Sequence, residues 1–234
     1  GIENNEIPLV TFDITLTGGH FLERAEKSGT SVLLADLMME GTAFKTPIEL
    51  EEEIGLLGAS IDIYSGNEEI RISATCLTKN FNATVSLVSE ILLHPRWEQS
   101  EYDRLRQMRI TQLKGNASNP TDIAYRNLKK LLYGSEHIYA TATNGTLETL
   151  ETLTIDDLKS YYEKNISPDL AALHVVGAIE KKEVIKAFNY LDKNWNMSDR
   201  PAVERTNIIH KAEHKLYFID VPGAKQSVIF AGKL

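Results

Sequence analysis

A single cysteine, Cys76, is present among 234 residues, so no internal disulfide holds this chain together. Proline and glycine are also sparse, at 7 and 14. That excludes collagen-like and low-complexity chains. No run approaches the roughly 20 apolar residues of a membrane-spanning helix. Basic residues are outnumbered, 25 Lys and Arg against 33 Asp and Glu, for a net charge of -8. This disfavours nucleic acid as a partner, because affinity for phosphates depends on Lys and Arg. What is present is ordinary globular material, 42% hydrophobic and 25% charged. A chain of this length buries roughly 70% of its unfolded surface and needs neither metal nor disulfide to fold.

Hydrophobic periodicity then sets the elements. Val10, Phe12, Ile14 and Leu16 alternate with polar residues, the period of a half-buried strand ending at Gly18-Gly19. Residues 30–39 are apolar almost all round, which predicts a buried helix closed by Gly41. Thr46-Pro47-Ile48-Glu49 has the form of a capping box with proline at the first helical position. Two strands, 59–65 and 68–76, flank Ser65-Gly66-Asn67 as a hairpin. Helices follow over 81–92, 98–115, from Pro120, from Thr154 and over 180–191. Residues 170–176 read as a buried strand with His174 as a core histidine, and 215–220 and 227–231 as two closing strands. Strands and helices mix without βαβ alternation. The expected fold is therefore α+β, a two-layer sandwich of helices on a mixed, largely antiparallel sheet.

One literal motif carries chemistry. His210-Lys211-Ala212-Glu213-His214 matches H-x-x-E-H, in which histidines at i and i+4 of a helix hold zinc and the glutamate takes a proton from bound water. The context opposes it: the segment follows the Pro201-containing stretch 198–206 and runs into a strand pattern, not a helix. A solvated linker is the simpler reading. Cys76 reads as a small core residue and Tyr161-Tyr162 as core.

The order of segments resembles the zinc metallopeptidases of the insulinase/pitrilysin group, which includes the mitochondrial processing peptidases. The resemblance rests on Pro8-Leu9-Val10 through Gly18-Gly19, Gly29 opening the buried helix and Gly41-Thr42 beyond it. It continues through Thr46-Pro47, Leu57-Gly58-Ala59, Asn119-Pro120, residues 154–162 and 170–177, and Val221-Pro222-Gly223-Ala224 with Gln226-Ser227. In active members the buried helix carries H-x-x-E-H, and a glutamate ligand follows about 75 residues later. The resemblance puts the two histidine positions on Val32 and Asp36, the general base on Ala35 and the third ligand on Gln112, with Thr111 beside it. Val32 and Ala35 offer no donor atom, Gln112 is a neutral amide, and Asp36 alone does not make a site that needs three protein ligands.

The resemblance thus implies a catalytically degenerate domain with no zinc and no catalytic residue of its own. It would pair with an active zinc-peptidase half or subunit, which supplies the zinc, to enclose and position peptide substrate. An active zinc hydrolase using His210, Glu213 and His214, and a non-proteolytic scaffold subunit, stand as alternatives. Residues 1–200 are expected to form the degenerate domain, 201–213 a linker and 214–234 the opening strands of a second domain. The expected compartment is a bacterial periplasm or cell envelope, with the cytoplasm as the alternative.

Overall fold

The structure, a computed structural model, describes residues 2–3, 7–135, 137–198 and 215–233. His210, Glu213, His214 and the linker 201–213 lie outside the described residues. Five strands form one sheet: β1 (Ile2–Glu3), β2 (Leu9–Thr17), β3 (Ser60–Ser65), β4 (Glu69–Leu77) and β5 (Ala171–Gly177), in the order β1-β5-β2-β4-β3. Only the two-residue β1–β5 pairing is parallel; the others are antiparallel. The sheet is therefore mixed but largely antiparallel, as the sequence pattern implies.

Register explains why one face is the core. Phe12 lies opposite Ala74, which lies opposite Ile61; Ile14, Ile72 and Ile63 repeat the row two residues on. All six are buried. With a side-chain period of two, the alternate row of Asp13, Ser73 and Asp62 falls on the other face. There Ser73 donates a hydrogen bond to Asp13.

Helices cover the apolar face. The helices of the described residues are α1 (Thr30–Met38), α2 (Pro47–Leu56), α3 (Phe81–Leu93), α4 (Gln99–Asn116), α5 (Pro120–Tyr133), α6 (Leu147–Thr152), α7 (Ile155–Asn165) and α8 (Lys181–Asn194), of which α1 and α2 meet β3 and α3 meets β4. Eight of the nine residues of α1 are buried, because it sits among β3, α4 and α7. The Thr46–Glu49 capping box forms as read: the Glu49 amide donates to Thr46 Oγ1 at 3.4 Å and the Thr46 amide to Glu49 Oε2 at 2.8 Å. The long polar α4 is held down by Tyr102, Leu105 and Ile110. No helix among the described residues is long and apolar enough to cross a membrane.

Two local readings are corrected. β5 is not a buried strand: Ala172, Leu173, His174 and Val176 are exposed, and of its apolar run only Val175 is buried. Among the described residues its outer edge is paired only through Val176 and Gly177, and Ala172, His174 and Val176 share the open face with Asp13. His174 is therefore a solvent-facing residue and not a core histidine. No strand forms over 215–233. An alternating pattern creates a strand only when a neighbouring strand supplies the hydrogen-bond ladder, and 215–220 and 227–231 have none among the described residues. Leu216, Phe218 and Ile229 are each at least 90% exposed there.

Candidate functional site

The N-terminal end of α1 is built before the site itself. Gly29, at φ 98°, caps the helix in a left-handed conformation suited to glycine. Its amide donates to Glu23 Oε2 at 3.0 Å, and the Ser31 amide donates to Glu23 Oε1 at 2.6 Å. The Glu23 carboxylate thus satisfies two amides that no helical carbonyl can reach, and its charge lies at the positive end of the helix. Glu23 Oε2 is also 2.7 Å from His20 Nδ1, and neither side chain is exposed. His20 Nε2 lies 3.0 Å from the Ile138 carbonyl and 3.0 Å from Thr141 Oγ1. His20 and Glu23 therefore clamp the chain entering α1 to the 138–141 segment.

This clamp fixes where the α1 side chains point. Val32, Ala35 and Asp36 occupy one face and line a cavity of about 300 Å³ with Ile63, Tyr64 and Ser65 of β3 and with Arg109 of α4. Ser65 Oγ donates to Ser31 Oγ at 2.8 Å and ties β3 to α1. Asn67 and Asn144 stand at the cavity as well, and Asn67 Oδ1 accepts from Thr143 Oγ1 at 2.8 Å. The positions identified from the sequence on α1 are thus brought together. Gln112 is not: it is exposed on α4 and does not line the cavity.

Arg109, one turn before Gln112, takes that place. Its Nε donates to Asp36 Oδ2 at 2.8 Å, and its Nη2 lies 2.8 Å from Oδ1 and 2.6 Å from Oδ2. Burial pushes the Asp36 carboxyl above the ordinary carboxylate range; Arg109 pulls it down and Glu40 pushes it up. The pair is about three-quarters buried or more, with side-chain exposures of 20% for Arg109 and 24% for Asp36. A bidentate, mostly dry pair of this kind is worth more than a surface salt bridge. Its neighbours do related work. Arg104 Nη2 reaches Glu40 Oε1 at 2.6 Å, and Arg106 Nη2 donates to the Glu151 carbonyl at 2.6 Å.

A zinc ion does not fit this donor set. Val32 and Ala35 have no ligand atom, and both oxygens of Asp36 already receive a guanidinium. That cation would repel a divalent ion from the one carboxylate available. Among the described residues no group of three His, Cys, Asp or Glu side chains converges as a metal centre. Arg109 was missed in the sequence because α4 reads as a solvated polar helix. The available signal was Asp36 itself, an acid in an otherwise buried helix, which requires a cation from elsewhere.

The Asp36–Arg109 pair yields a direct test. In a double-mutant cycle of Asp36→Ala and Arg109→Ala, read by urea unfolding, the coupling is expected at about 1–2 kcal/mol. A coupling near zero would mean that the pair contributes nothing to holding α4 on α1.

The family description Insulinase (Peptidase family M16) matches residues 2–144, and the chain belongs to this family. It is 21% identical over 226 residues to an Arabidopsis thaliana protein named probable mitochondrial-processing peptidase subunit beta, covering 95% of this chain and 42% of that one. It is 25% identical over 218 residues to the Bacillus subtilis protein named uncharacterized zinc protease YmxG, covering 91% of this chain and 53% of the relative. Among solved structures, the peptidase M16 inactive domain from Pseudomonas fluorescens superposes with a TM-score of 0.80 at 19% identity, over 88% of this chain and 50% of that one. The chain thus spans about half the length of these relatives.

Proposed function

We propose that this chain is a non-catalytic domain of a zinc-peptidase assembly. It pairs with an active half or subunit carrying H-x-x-E-H and zinc, and together they enclose and position a peptide. The observation that carries the reading is the Arg109 guanidinium seated on Asp36 where the family's metal ligands are expected. The likeness to a solved inactive domain of the same family supports it. So does the subunit status in the name of the Arabidopsis relative.

The experiment is co-expression with an H-x-x-E-H protein of the family, followed by metal analysis and a peptidase assay. The chain alone is expected to hold no stoichiometric zinc and to show no chelator-sensitive activity, and to co-purify with the partner. Stoichiometric zinc with activity in the isolated chain would overturn the reading. Their loss in His210→Ala would then assign them to His210, Glu213 and His214. A stable complex that contains no peptidase would instead favour the scaffold role.

A further inference from the structure

The C-terminal ends of α3, α7 and α8 meet around a second cavity of about 410 Å³, which shares no lining residue with the first. The residues capping these three ends, His94, Ile166 and Trp195, all line it. Each helix C-terminus carries roughly half a negative elementary charge on carbonyls without helical partners. Three such ends around one cavity give it a negative field.

The walls reflect that polarity. Three lining side chains turn donors onto nearby main-chain oxygens. Tyr162 Oη donates to the Leu92 carbonyl at 2.6 Å, Asn194 Nδ2 to the Tyr190 carbonyl at 2.7 Å, and Trp195 Nε1 to the Ile166 carbonyl at 3.1 Å. Glu163 adds a carboxylate, and among the described residues His94 lines the cavity but no Lys or Arg does. Ser198, also on the lining, has a buried Oγ with no hydrogen-bond partner among the described residues.

The apolar lining is aliphatic and aromatic, with Leu93, Ile166 and Met197 beside the rings. Tyr162, Tyr190 and Trp195 line the cavity. The Tyr162 ring is held edge-to-face against Trp97 at 5.5 Å between centroids, so this wall is rigid. Burial pushes the Tyr162 phenol up to about 12, which keeps it a neutral donor. Tyr190 is 54% exposed, which leaves a way in from solvent. A hard divalent cation would want six or more oxygen ligands, and one carboxylate does not supply them. Aromatic side chains, an acidic edge and helix C-termini suit an organic cation instead.

We propose that this cavity binds an organic ammonium group, the chemistry shared by a choline-type head, a polyamine and a lysine side chain. The test titrates the full chain with choline, with spermidine and with Nα-acetyl-lysinamide, following the indole signals of Trp195 and Trp97 by NMR. The neutral isostere 3,3-dimethylbutan-1-ol is the control. At least one cation is expected to bind about tenfold more tightly than the alcohol, and the tightest identifies the source. Glu163→Gln and Tyr190→Ala, both at partly open positions, are expected to weaken the cation several-fold while leaving the alcohol unchanged. Equal binding of cation and alcohol, or indole signals that none of the three cations moves, overturns the proposal.

Discussion

Glu23→Ala is expected to cost about 3–5 kcal/mol of unfolding free energy, the range for removing one partner from a buried, charge-assisted pair. The magnitude follows from what is left behind. The Gly29 and Ser31 amides lose their acceptor at a helix end where no carbonyl replaces it. His20 keeps its contacts to the Ile138 carbonyl and Thr141 but loses the partner at Nδ1, with no solvent to take over. Against a total stability of about 5–15 kcal/mol, that is a large share. Glu23→Gln keeps one oxygen but places an amide NH₂ beside groups that need an acceptor, so an intermediate loss is expected. Urea unfolding measures both, and faster hydrogen exchange at Gly29 and Ser31 locates the damage. A loss under about 1 kcal/mol in Glu23→Ala, the scale of an ordinary neutral hydrogen bond, would show the clamp to be incidental.

Much of this fold was legible because it is local. The period-two run from Val10 to Leu16, the hairpin around Gly66 and the Thr46 capping box each depend on residues a few positions apart. The short α6 was not read, although Thr146 and Thr149 cap it in the same way as the box at Thr46. Burial of β5 was misread because an apolar composition does not reveal whether a neighbour covers it. The site divides along the same line. The family resemblance places Val32, Ala35 and Asp36 at a short distance from Gly29, and the structure gathers them on one cavity. The resemblance places Gln112 about 75 residues further on, and there the structure presents Arg109, one helical turn away, to Asp36. The choice between two residues on neighbouring turns of α4 is made by tertiary packing, which short-range pattern does not encode.

Those same contacts hold α1 and α4 together: Arg109 is the cation seated on Asp36, and Arg104 adds a second tie through Glu40. The neutral walls of Val32 and Ala35 then cost little, since neither needs a partner. The arrangement is consistent as packing: the α1 acid Asp36 is matched by the α4 base Arg109.

Phe12→Ala is expected to produce the other large loss, about 3–5 kcal/mol, because the aromatic ring is removed and the surroundings close the space only in part. Phe12 is 1% exposed and stands edge-to-face with both Phe81 of α3, at 5.7 Å, and Phe188 of α8, at 5.4 Å. It is the sheet residue on which two helices from distant parts of the sequence are seated. Its cross-strand neighbours are Ala74 on β4 and Val175 on β5, both too small to fill the space of a phenyl ring. Phe12→Leu keeps most of the volume and is expected to cost less than about 1.5 kcal/mol. The two clamps act on different helices, Glu23 on α1 and Phe12 on α3 and α8, and share no direct partner. Their losses should therefore add within about 0.5 kcal/mol in the double variant, provided it still folds at low urea. If Phe12→Ala cost no more than Phe12→Leu, the aromatic trio would be packing filler. A clearly non-additive double variant would instead mean that the α1 end and the α3–α8 end of this layer are mechanically coupled through the sheet.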